Sequence, residues 1–117
     1  MADQPLTIHI TWVFPPELVA EFFEALYPLK EKLVQEDECL YFNVFETQGK
    51  PGVVRLVEMW DCEIEWMVEV QSKKEYYREF FETAKKIALE PQKVEVLEGV
   101  EGFRFMRRER GRSPGFR

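Results

Sequence analysis

A chain of 117 residues is long enough for one domain with a real core. Its 45% hydrophobic and 15% aromatic residues exclude intrinsic disorder for most of the length, and its longest apolar runs, a few residues each, fall far below the roughly 20 needed for a membrane-crossing helix. The net charge of −6 argues against nucleic acid as the main partner, although it averages an acidic body with a basic end: residues 1–103 carry ten Lys/Arg against 21 Asp/Glu, and 104–117 six Arg against one Glu.

Residues 6–14 alternate, with Ile8, Ile10 and Trp12 on one face and Thr7, His9 and Thr11 on the other, which is the period of a strand. Pro15 and Pro16 close it and suit a helix entry. From Glu17 the apolar set Leu18, Phe22, Ala25, Leu26, Leu29 and Leu33 follows helical spacing, and Pro28 is expected to kink or split that helix near Tyr27. A strand over 40–47 and another over 53–60, joined by the Gly/Pro-bearing stretch 48–52, read as a hairpin. Asp61 is placed to cap a short helix carrying Ile64, Met67 and Val68. Ser72 with Glu75 three residues on has the spacing of a capping box opening a longer helix, which Pro91 stops. A last strand spans about 93–100, and the Arg-rich remainder reads as a disordered tail.

The order β-α-β-β-α-β is that of an α+β, ferredoxin-like sandwich over residues 1–103, with residues 104–117 as a basic tail. Both helices then cover one side of an antiparallel sheet. If the more apolar alternation meets the helices, the other side carries Thr7, His9, Thr11, Tyr41, Asn43 and Phe45. That mixture suits a ligand cavity enclosed between two sheets, hence a homodimer holding a small molecule. Two cysteines, Cys39 and Cys62, are too few for a disulfide scaffold or a cysteine metal site and read as reduced thiols of a cytoplasmic protein. There is no basic-then-apolar leader pattern at the N-terminus.

The run VRLVEMWDCEIEW followed by VQSKKEYYREF resembles the dimeric α+β barrel superfamily, and within it the antibiotic-biosynthesis monooxygenase domain, fungal members in particular. Glu58 and Trp60 at the strand end, the stretch 70–77, and Glu36, Glu38 and Cys39 ahead of Tyr41 and Phe42 carry the resemblance, which covers about residues 6–100. It implies a dimeric barrel. It also implies, for many members, cofactor-independent oxygenation of polycyclic aromatics in which the substrate carbanion reduces dioxygen. Other members degrade haem or catalyse cyclisation or decarboxylation. The stretch 67–71 lacks the histidine of many bacterial members, and the ligand set of the haem-degrading ones has no counterpart here.

His9, the only histidine, is the natural candidate for a general base; a structural histidine satisfied by a neighbouring strand is the alternative. Asn43 is placed to donate to a developing oxyanion, or else to bond sheet backbone. Arg55 binds an acidic substrate group or reaches solvent. Tyr41, Trp66, Tyr76 and Tyr77 are candidates to stack on a flat aromatic ligand, with core packing as the plainer role for the helical ones. By resemblance Gln71 and Lys74 become substrate contacts, and a capped, solvated turn explains them equally. One histidine without spaced partners makes no metal site, and no glycine-rich phosphate loop is present, so neither metal, flavin, nicotinamide nor nucleotide is expected. The expectation is a cofactor-free monooxygenase of a small aromatic or polyketide-like molecule. A cyclase or decarboxylase of the same superfamily, or a non-catalytic ligand-binding dimer, stands as the alternative.

Overall fold

The computed structural model describes residues 4–105 and 107. The tail expected to be disordered lies almost entirely outside them. Strand β1 (Leu6–Val13) leads through a 3-10 turn at Pro16–Leu18 into helix α1 (Val19–Leu33). Strands β2 (Cys39–Glu46) and β3 (Val53–Trp60) follow, then the short helix α2 (Ile64–Glu69), a 3-10 turn at Gln71–Lys73, helix α3 (Tyr77–Ile87) and strand β4 (Lys93–Leu97). All pairings are antiparallel and the strand order is β2-β3-β1-β4. The expected ferredoxin-like α+β fold is therefore present.

Two local expectations are corrected, and one irregularity is added that the alternation did not announce. Pro28 does not split α1, which runs unbroken through it; the apolar stripe of Val19, Phe22, Leu26, Leu29 and Leu33 is buried along its whole length and holds the helix together across the missing N–H donor. The capping box is absent: the Ser72 hydroxyl donates backward to the Val68 carbonyl (2.8 Å), Lys74 is extended, and the helix begins only at Tyr77. β2 also starts with a register irregularity between Cys39 and Tyr41, so that Cys39, rather than Leu40, faces Trp60 and Leu40 is left exposed.

Residues directly opposite one another in an antiparallel pair share a face. On the helix side, Ile8, Trp12, Val54, Leu56 and Trp60 join the α1 stripe and α3's Phe80 and Ala84 in one core. Trp12, Phe14, Phe22, Phe80 and Phe81 form a connected aromatic group there, with Trp12 stacked on Phe14 at 5.7 Å. The outer side reads in three rows across the strands: Tyr41–Met59–Thr7–Leu97, Asn43–Val57–His9–Glu95 and Phe45–Arg55–Thr11–Lys93. No helix covers it.

Gly52 fastens the β2–β3 turn to the end of β1. Its φ is +93°, its carbonyl accepts from the Phe14 amide at 2.8 Å, and a Cβ there would lie 2.2 Å from the Phe14 carbonyl oxygen. Gly49, at the tip of the same turn, has φ +81° but open space around it.

Candidate functional site

The sheet divides eight of the nine residues singled out from the sequence into two sets, and Lys74 joins the second through Glu36. Tyr41, Asn43, His9 and Arg55 lie on the uncovered outer face; Trp66, Gln71, Tyr76 and Tyr77 lie on the helix side, among residues packed against the core. The two sets do not form a single site within one subunit.

On the outer face, His9 and Asn43 occupy one row with Val57 between them, which separates their backbones by about 10 Å. The Asn43 side chain is already engaged: its Nδ2 donates to the Tyr41 hydroxyl at 2.9 Å and its Oδ1 accepts from the Val44 amide at 2.8 Å. Arg55 Nε donates to Thr11 Oγ1 at 3.3 Å. Tyr41 and Phe45 remain 39% and 45% exposed. Around these four residues the surface is open and mixed, while at the Thr7–Met59 end of the same face a cavity of about 600 Å³ is lined by Thr7, Met59, Val100 and Phe103 among others.

The helix side is different. Where the chain leaves α2, the 3-10 turn drives Gln71 into the interior until it is fully buried, and its Nε2 donates to both the Tyr76 hydroxyl (2.7 Å) and the Tyr77 hydroxyl (3.1 Å). Tyr76 in turn donates to Glu36 Oε2, which also accepts from Lys74 Nζ at 2.8 Å. The Lys74 ammonium sits 5.8 Å from the centre of the Trp66 ring. Gln71 Oε1 is buried and has no hydrogen-bond partner among the described residues, an arrangement that costs stability unless something else supplies a donor.

Glu58 was missed as a candidate, although it sits in the conspicuous alternation Val54, Leu56, Glu58, Trp60. Only 6% exposed, it projects from β3 to the helix side between its cross-strand neighbours Phe42 and Ile8. Its Oε1 accepts from Trp60 Nε1 at 2.8 Å. Burial raises its pKa above the usual carboxylate range, opposed by the Trp60 hydrogen bond. The Lys74 and Tyr76 hydrogen bonds hold Glu36 below that range instead. Burial, chiefly, pushes the Tyr76 phenol up to about 12 and raises Tyr77 further; it also raises the Cys39 thiol. Two carboxyls with opposite displacements, beside two phenols held neutral, make a site with distinct proton-donating and proton-accepting ends.

A cavity of about 440 Å³ opens between α1 and α3, lined by Leu29, Phe80, Thr83 and Tyr76 among others, so that Tyr76 links it to the polar cluster. The cover over the cluster is thin: α2 is six residues long, none is buried, and Ile64 and Val68 are exposed. Among the described residues no cluster of metal-ligating side chains occurs, and no helix is long and apolar enough to cross a membrane.

Residues 5–83 match the family model for antibiotic biosynthesis monooxygenase. The chain belongs to that family. Across 105 residues it is 33% identical to a Pestalotiopsis microspora protein named "Putative monooxygenase GME11364", with 87% of this chain and 88% of the relative covered. Two solved structures of the monooxygenase family superimpose on it. "Putative antibiotic biosynthesis monooxygenase from Nitrosomonas europaea" has a TM-score of 0.75 at 15% identity, covering 87% of this chain and 96% of that one. A Caulobacter crescentus protein of the same description has a TM-score of 0.74 at 18% identity, covering 84% and 92%. At such identities these two speak for the fold. The family resemblance read from the sequence is thus borne out, and the strand carrying Glu58 and Trp60 and the stretch 70–77 both fall inside the matched segment.

Proposed function

We propose that the protein is a monooxygenase of a small hydroxylated aromatic molecule, bound on the helix side of the sheet against Gln71, Tyr76, Tyr77 and Trp66. Membership in the family supports a monooxygenase-like activity in general. The observation that carries the placement is the buried cluster around Gln71, with an amide oxygen lacking a donor and a Tyr77 hydroxyl that accepts from Gln71 and has its own proton unspent. A phenol meets the first need and a ring carbonyl or phenolate the second. The Trp66 ring provides a flat apolar wall.

The reaction needs no resident cofactor. Loss of a proton from an activated ring methylene leaves a carbanion that passes its electrons to dioxygen; one oxygen atom ends as the new ring carbonyl and the other as water. The protein's part is to hold the aromatic ring, stabilise the oxyanion and receive the proton. The uncovered outer face is the contact between two copies of the chain, and the reduced cysteines suit a cytoplasmic setting.

Oxygen uptake and thermal shift with a panel of hydroxylated anthrones and naphthols test the assignment. The expected result is a raised melting temperature together with oxygen consumption for at least one compound, both weakened by Gln71→Ala. Turnover of such a compound without oxygen would replace oxygenation by cyclisation or decarboxylation, and a flat response throughout would favour the non-catalytic dimer. A second reading places the chemistry on the outer face, where His9 and Asn43 share one row and a facing copy would close the cavity. His9→Ala abolishing turnover while Gln71→Ala leaves it intact would establish that reading.

A further inference from the structure

Resting on the helix-side placement just proposed, we infer that the Glu58 carboxylate is the catalytic base, its Oε2 receiving the proton that the aromatic substrate loses before dioxygen is reduced.

The geometry separates the two oxygens of this carboxyl. Oε1 is occupied by the Trp60 indole N–H at 2.8 Å, which fixes the plane of the group. Oε2 has no hydrogen-bond partner among the described residues, and it is not among the sealed unpartnered atoms, which are Trp12 Nε1 and Gln71 Oε1. One oxygen is held and the other is left for a ligand. A purely structural carboxyl at this depth would use both, because a buried carboxylate gains stability from every donor it finds.

Its surroundings favour the proton-accepting role. From β1 and β2 the flanking residues are Ile8 and Phe42, both apolar. The titratable groups whose charge it influences are Cys39 from β2 and Tyr77 from α3, and both are held in their neutral forms by burial and by Glu58 itself. No cation pairs with Glu58 among the described residues, whereas the other carboxyl of the cluster, Glu36, is bound by Lys74. A carboxylate with a cation and a phenol hydrogen-bonded to it is a weak base; one in an apolar setting with a free oxygen is a strong one. The two acids of the cluster therefore split into a base, Glu58, and an anchor for Tyr76, Glu36.

The proton balance closes. A ring C–H bond breaks, its proton bonds to Glu58 Oε2, and its electron pair stays on the substrate as the carbanion. The carbanion bonds to dioxygen, and the Glu58 proton converts the resulting peroxide anion to a hydroperoxide. The O–O bond then breaks together with the second methylene C–H bond, which leaves the ring carbonyl, and the released hydroxide takes up that second proton and departs as water.

The test uses the full-length protein with anthrone as the probe. Deuterium exchange at the ring methylene is followed without oxygen, and oxygen uptake with it. Glu58→Gln keeps the size of the side chain and an acceptor for Trp60; the expected result is a loss of both exchange and uptake of about 100-fold or more, with the thermal shift caused by anthrone preserved. Retention of exchange within a few-fold of the native rate would overturn the assignment. Should Glu58→Gln not fold, the native pH profile decides: the exchange rate must rise with pH through a midpoint above the usual carboxylate range, and a profile flat from pH 5 to 8 counts against Glu58. Failure of the native protein to bind or exchange anthrone refutes the pairing of this probe with this site, and with it the role given to Glu58. Normal turnover by Glu58→Gln refutes the base alone and leaves the binding site standing.

Discussion

The outer face of the sheet is rich in polar residues and the helix side has few, and the two put them to opposite use. On the outer face Thr7, His9, Asn43 and Arg55 stand in open rows and bond mainly to immediate neighbours. On the helix side Glu58 and Gln71 are enclosed, so each polar atom has either a designated partner or a conspicuous want of one. Exposed polar groups exchange one hydrogen bond for another with water at little net gain; enclosed ones acquire displaced acidities and directional demands. Chemistry is to be sought where polarity is enclosed, and assembly where it is spread.

Substitutions on the two faces should differ accordingly. The largest effect belongs to the packed core: Phe22→Ala, at a side chain with no exposure and several aromatic neighbours, is expected to lower unfolding stability by about 3–5 kcal/mol in urea titration. Next comes the enclosed polar cluster. Tyr76→Phe removes the hydroxyl that joins Gln71 to Glu36 and is expected to cost about 1–3 kcal/mol; an unchanged urea midpoint would show the network to be dispensable.

The acids give a test of sign. Glu58 is raised in the folded state, so the native protein holds this proton more tightly than the unfolded chain does; stability is greatest below about pH 4.5 and declines as the pH climbs through the folded value. Glu36 is lowered, so its contribution is present above about pH 4.5 and lost as the pH falls through the folded value. Urea midpoints taken from pH 3 to 8 should therefore lose their decline toward high pH in Glu58→Gln and their acid decline in Glu36→Gln. The smallest effect is expected on the outer face: His9→Ala and Asn43→Ala should each alter unfolding stability by no more than about 0.5 kcal/mol. Phe45→Asp, in contrast, should reduce the light-scattering mass if two copies meet there.

Much of the fold was legible in the chain because period alone sorts the strands: Ile8, Ile10 and Trp12 alternate so cleanly that face and element follow together. Boundaries were less legible where side chains choose among local partners. Ser72 had a suitable acid three residues on and still turned back to Val68, since a hydroxyl bonds either way and tertiary packing of Gln71 decides. For the site, Gln71, Tyr76 and Tyr77 were visible as a group, but not their burial, which depends on a 3-10 turn. Glu58 was visible as an acid within an apolar alternation. Its meaning emerges only when the face it occupies is known to be the enclosed one.

The two glycines of the β2–β3 turn bear on how this chain tolerates change over time. At Gly49 the loop faces open space, so residues can be inserted at the tip, or a tag spliced there, without disturbing the sheet. At Gly52 the backbone of one segment is laid so close to Phe14 that any side chain would prise the hairpin from β1. Length can therefore drift at the tip, whereas identity is held at both glycines: a library built across 48–52 should return glycine throughout at 52, and at 49 glycine with some asparagine and aspartate, the side chains that best tolerate a positive φ.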